Sequence, residues 1–208
     1  MKQPRRDPVP ARPARDGVIA ALAGVGFLLA GYLTVTKLTG AGALLCTAGG
    51  GCDVVQASRY SAFLGLPTAA WGVAVYLVVG LLAILGLSPR RWLVAFLLVV
   101  AGVAFAAYLT YLELFVIKAV CWYCVGSAIV VGALCVALLA RKPPVTGKRS
   151  PIRPRRVATL AGLVAVVTLL GGVAGFELAA ISQDSAGFQD ALARHLASSG
   201  AVMYGAVW

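Results

Sequence analysis

The chain has 208 residues, of which 61% are apolar and only 12% charged, and its formal net charge is +11. A mean hydropathy of +0.91 excludes an ordinary soluble domain, which runs nearer half apolar and a quarter charged. One histidine excludes a bis-histidine haem and argues against a histidine-based zinc site.

Five apolar stretches reach the ~20 residues that cross a ~30 Å hydrocarbon core as helix. In chain order they are Gly17–Thr36, Pro67–Leu87, Leu93–Leu112, Ala119–Ala140 and Val157–Ala180. The pattern predicts an all-α integral membrane protein. Its architecture is read as a four-helix transmembrane bundle with a fifth, peripheral transmembrane helix. The first span is too long for the apolar region of a cleaved signal peptide and lacks an A-x-A site.

Basic residues sort by connection. Fourteen of the eighteen lie before the first span, between the second and third, or between the fourth and fifth. Lys37, Arg59, Lys118 and Arg194 are the remainder. The positive-inside rule then predicts a cytoplasmic N-terminus and an extracytoplasmic C-terminal tail, in a multi-pass protein of the cell (inner or plasma) membrane. So placed, the charge reads as topogenic and not as a nucleic-acid surface. The expected division is a basic N-terminus at 1–16, the bundle at 17–140, a basic cytoplasmic loop at 141–156 and the fifth helix at 157–180. Residues 181–208 read differently: a short amphipathic stretch, Ala186–Ser198, precedes the strand-like AVMYGAVW. They predict the start of an extracytoplasmic soluble domain.

The cysteines carry the chemistry. Cys46 and Cys52 lie in the long, glycine-rich connection Leu38–Leu66, as C-T-A-G-G-G-C, while Cys121 and Cys124 form C-W-Y-C at the outer end of the fourth span. Paired cysteines on an oxidising side form disulfides, and four of them allow three complete pairings. Inert staples are one reading. Exchange is the favoured one, because a helix N-terminus confers thiolate character on a C-x-x-C and the glycines loosen the other pair. Four thiolates also match a zinc count, but the oxidising location and the depth of Cys124 argue against metal. Cys135, eleven residues beyond Cys124 and ~16 Å deeper along the helix, reads as a small buried apolar residue.

The loop pair, the segment S-R-Y-S-A-F-L-G-L-P-T-A-A-W-G and the C-W-Y-C, in that order over about Gly17–Ala140, resemble the vitamin K epoxide reductase family in its bacterial branch. The resemblance implies a shuttle pair, with Cys46 meeting a thioredoxin-like dithiol partner and Cys52 passing the disulfide inward. It implies that Cys121 bonds Cys52 transiently and that Cys124 stands beside a quinone of the menaquinone or ubiquinone class. Ser58 matches the family's active-site serine or threonine. Thr68 falls where vertebrate members carry an asparagine, and Ala128 where they carry a tyrosine. Quinone reduction is therefore expected before any epoxide chemistry. Trp71 and Tyr76 read either as walls of a quinone pocket or as bundle packing, and Asp53 as a loop carboxylate, a helix cap or a neighbour of the shuttle. The tail resembles the strand that leads into a thioredoxin-like domain, so the chain reads as truncated before it.

The implied function is a membrane thiol–disulfide oxidoreductase that supports disulfide formation in the cell envelope. A second class, a structural or transporter-like protein with stapled loops, predicts ionisable groups inside spans. Glu113 and Glu177 read as lying near outer helix ends instead.

Overall fold

The structure is a computed structural model that describes residues 16–40, 51–143, 153–184, 194–196 and 198–199. The expectations for residues 1–15, for Cys46, for much of the 141–156 loop and for nearly all of the tail from 185 onward lie outside the described residues.

Helix α1 (Gly17–Thr39) begins where the Asp16 carboxylate accepts the Ile19 N–H at 3.3 Å, which satisfies one of the free donors of a first turn. It ends at Gly40, whose φ of 68° is the left-handed geometry that glycine supplies without strain. A short helix, α2 (Gly51–Ala57), leads through a 3₁₀ turn at Arg59–Ser61 into a two-stranded hairpin. Strands β1 (Ala62–Phe63) and β2 (Leu66–Pro67) pair antiparallel, with Ala62 opposite Pro67. Leu64 and Gly65 turn the corner with φ of 52° and 80°, both positive, as in a two-residue hairpin turn.

Helix α3 (Thr68–Ile84) follows directly, then α4 (Pro89–Tyr111), which starts on a Ser88 cap with proline in its first turn. The chain then continues as a π-helical turn over Leu112–Ile117 before α5 (Trp122–Ala140) and α6 (Pro154–Asp184).

Among the described residues, four helices are long and apolar enough to cross a membrane: α1, α4 with its π-turn, α5 and α6. The predicted second span is shorter than expected. Pro67 belongs to β2, and Gly86 turns the other end with a φ of 87°. The remaining 17 residues of α3 span about 26 Å. Turn chemistry at both ends trims this span.

Helix α3 packs on α1, α1 on α5, α5 on α4 and α4 on α3, which closes a four-helix ring. Helix α6 lies outside that ring, packed mainly on α4 and touching the hairpin. It leaves Leu163, Val167, Leu170 and Leu178 exposed, an apolar surface suited to lipid. The fifth helix is peripheral.

The helix ends sort into two sets. At one end the Asp16 N–H reaches the Ala83 carbonyl at 3.3 Å, Arg141 ion-pairs with Asp16, and Arg91 donates to the Leu85 carbonyl at 2.8 Å. Trp92 is fully buried there, stacked on Phe96 with centroids 5.1 Å apart, and its indole N–H donates to the Leu138 carbonyl at 2.9 Å. Val157 of α6 joins the same cluster. The opposite end holds Lys37, the hairpin, the π-turn and the C-W-Y-C.

Candidate active site

The site is built on the N-terminus of α5. Lys118 leaves the π-turn with a φ of 56°, and Cys121 then takes an extended conformation as the N-cap. Its Sγ accepts the Cys124 N–H at 3.4 Å. The sulfur thus occupies the place where a serine or aspartate oxygen normally caps, under free N–H donors that stabilise developing negative charge. Cys121 is fully buried, and both C-x-x-C cysteines are free thiols.

The π-turn contributes a carboxylate to this cap. Glu113 is the one buried charged residue among those described, and its Oε2 accepts the Cys121 N–H at 3.3 Å. Cys121 thus links the two groups: Glu113 holds its N–H, and its sulfur holds the Cys124 N–H. The backbone carbonyl of Glu113 meanwhile accepts from Lys118 and Ala119, which closes the turn that carries it.

Helix α2 docks beside this cap through a glycine. A Cβ at Gly51 would stand 2.4 Å from the Val120 carbonyl oxygen and 3.0 Å from the Val120 nitrogen. Backbone therefore meets backbone at the residues immediately preceding Cys52 and Cys121. Only glycine allows that approach. Cys52 is buried and disulfide-bonded.

Inside the ring, below the hairpin, lies a cavity of about 310 Å³ lined mostly by apolar side chains. Cys124, Glu113, Thr68, Trp71 and Tyr76 all face it, as does Thr168 of the peripheral helix. Its size lies at the lower end of the ~300–1,000 Å³ range of small-molecule pockets, and a largely apolar wall with few polar groups is typical of them.

Over residues 17–139 the chain matches the model of the vitamin K epoxide reductase family, a stretch that contains the ring and all of these residues except those of α6. The chain belongs to the vitamin K epoxide reductase family. It is accordingly a membrane protein and a thiol oxidoreductase.

The other residues singled out in the sequence occupy distinct positions. Thr68 donates its hydroxyl to the Tyr60 carbonyl at 2.9 Å, which ties the start of α3 to the 3₁₀ turn. The Trp71 indole N–H donates to the Phe63 carbonyl at 3.2 Å, and the Tyr76 hydroxyl meets the Ser127 carbonyl and hydroxyl, both at 2.9 Å. Tyr76 is buried against Gly26, where a Cβ would stand 2.3 Å from its ring. The two aromatics thus combine bundle packing with a face on the cavity. Ser58 is not among the lining residues, and its hydroxyl donates to the Val55 carbonyl at 2.7 Å at the end of α2. Ala128 lines the cavity. Asp53 sits in the first turn of α2, where a carboxylate complements the helix dipole. Cys46 lies outside the described residues.

Sequence reasoning gave Glu113 and Lys37 no part in the site. Lys37 lines the cavity and donates to the Gln56 carbonyl, holding the last turn of α1 to α2. The sequence pattern puts Glu113 only near an outer helix end. The available signal was an acidic residue in the helix leading to the C-x-x-C, eight positions before Cys121; the π-turn that folds it back under the cap was not readable.

Proposed function

We propose that this chain passes two electrons from an extracytoplasmic thioredoxin-like dithiol protein to a membrane quinone. The partner's thiolate attacks the Cys46–Cys52 disulfide, and Cys46 is the sulfur it meets. The partner closes its own disulfide and leaves Cys46 and Cys52 reduced. Cys52 then attacks Cys121 of the Cys121–Cys124 disulfide, and Cys124 departs as the leaving thiol. Cys46 resolves the Cys52–Cys121 bridge, so the inner pair becomes a dithiol. Oxidation of that dithiol by the quinone regenerates the Cys121–Cys124 disulfide and yields a hydroquinone. Each thiol exchange proceeds through a mixed disulfide.

The observation that carries this reading is the Gly51–Val120 contact. It supports an approach of Cys52 to Cys121, and the place of Cys124 in the cavity lining supports giving one cysteine of the inner pair to the loop and the other to the pocket. The cavity fits a quinone ring: Trp71 and Tyr76 are among its largely apolar walls, and Thr68 is among its few polar lining residues. Ser58 supports the shuttle segment by fixing the end of α2. The concentration of arginine at the Trp92 end supports an inner-membrane orientation in which that end, and the N-terminus, are cytoplasmic. The cysteine end then faces the oxidising compartment, and the net product is disulfide bonds for the cell envelope.

The test is quinone reduction by purified protein in lipid nanodiscs, supplied with a reduced thioredoxin-like dithiol protein. Loss of quinone absorbance in proportion to partner oxidation is expected. Folded protein that turns over neither a benzoquinone nor a naphthoquinone would overturn the reading.

A further inference from the structure

Glu113 has no role in the exchange sequence above, and its surroundings make it costly. A carboxylate taken out of water is expensive unless it is paired or hydrogen-bonded, and ionisable groups at membrane depth are functional by default. The ion pair found among the described residues, Arg141–Asp16, is at the opposite end of the ring. Glu113 instead holds the backbone N–H of Cys121, whose sulfur in turn holds the Cys124 N–H. It also faces the cavity that Cys124 faces.

From this geometry we infer that Glu113 is a catalytic proton carrier for Cys124, the group that takes the thiol proton as the inner pair is oxidised and delivers it to the substrate in the cavity. The inference rests on the quinone reading. Oxidation of the dithiol releases two electrons and two protons, and the quinone takes up both pairs to become a hydroquinone. One proton leaves the Cys124 sulfur for the Glu113 carboxylate as the Cys121–Cys124 bond forms, and passes from there to a quinone oxygen. The Cys121 thiol supplies the second. The carboxylate ends the cycle as it began, so no further reactant is required. Its hydrogen bond to the Cys121 N–H orients it beside the inner pair on the cavity wall, and a general base acts across a hydrogen bond or through one water.

A purely structural cap would be served equally by an amide, because glutamine accepts the Cys121 N–H through its own carbonyl oxygen. Glu113→Gln therefore separates the two roles. Reduced protein in nanodiscs is mixed with a water-soluble benzoquinone, and formation of the Cys121–Cys124 disulfide is followed in a single turnover. Glu113→Gln is expected to slow that step by roughly 10²-fold, the lower end of what a general base contributes. Thermal stability and the rate of Cys52–Cys121 exchange should stay at wild-type values. Glu113→Asp restores part of the rate. A glutamine variant as fast as wild type would overturn the inference and leave the quinone reading intact. Equal losses in the Gln and Asp variants, with lowered thermal stability, would also overturn it, since that is the pattern of a structural residue. A wild type inert toward quinones would bring down both together.

Discussion

The two ends of the ring are built by the same four helices to opposite specifications. At the arginine end every feature is a closure: the Asp16 cap, the Arg141–Asp16 pair, the stacked Trp92–Phe96 rings and the indole bond to Leu138. At the cysteine end the ring opens around a cavity, a π-turn follows α4, two non-glycine residues hold positive φ, and a carboxylate is buried. Strained or costly features of that kind collect where chemistry is done. The arginine end supplies the rigidity that lets the other end keep its reactive groups in register.

The largest effect should come from breaking the cysteine end at its deepest point. Cys124→Ala is expected to abolish quinone turnover while the arginine end keeps the protein folded. With Cys46 also removed, this variant should accumulate a Cys52–Cys121 disulfide, because Cys121 has lost its resolving partner. Non-reducing peptide mapping reads the bridge directly. An equally abundant Cys52–Cys124 bridge in the counterpart Cys121→Ala protein would show that burial and backbone contact do not separate the two roles.

The arginine end should break in the other currency, stability. Trp92→Ala removes a fully buried ring together with its hydrogen bond, and is expected to cost about 3–5 kcal/mol. Detergent-solubilised protein should melt at a markedly lower temperature, yet exchange thiols at the wild-type rate per folded molecule. Loss of exchange in the folded fraction would mean that the two ends are coupled more tightly than their construction implies.

Much of this division was legible in the sequence. The apolar runs, the alternation of basic connections and the cysteine at the head of α5 are local signals, each readable within a few residues. The ends of α3 are less legible because Pro67 and Leu85–Leu87 are apolar enough to extend a span, while their backbone belongs to a strand and a turn. The Glu113–Cys121 contact and the seat of Gly51 on Val120 depend on chain folding between distant segments. A glycine in a run of three carries no mark of which one must meet another backbone.

That glycine offers a finer break of the cysteine end. Gly51→Ala places a methyl against the Val120 carbonyl, so α2 must shift and carry Cys52 away from Cys121. Misplacement of about an ångström costs up to ~10²-fold in a reaction between positioned groups. Stopped-flow exchange between the outer and inner pairs should slow by that order, with thermal stability and direct quinone oxidation of the reduced inner pair nearly unchanged. Unaltered exchange would remove the Gly51–Val120 contact as the element that brings the pairs together.

The smallest effect belongs to Cys135, which lies on the same helix as the inner pair but in the region controlled by the other end. Its sulfur is a free thiol, partly buried and packed against the core cluster that contains Leu134 and Leu138. It is not among the residues lining the cavity, and it sits ~16 Å along α5 from Cys124. Cys135→Ser should therefore leave quinone turnover and thiol exchange at wild-type rates. The introduced hydroxyl replaces an apolar sulfur, but in a helix it bonds back to the carbonyl four residues earlier, here that of Val131. The destabilisation expected is about 1 kcal/mol, below the usual cost of an uncompensated buried hydroxyl. A melting curve and a turnover assay on the same preparation decide it. Lost turnover in a sample that melts like wild type would place a redox role inside the half of the molecule assigned to stability, and the contrast between the two ends would fail at that residue.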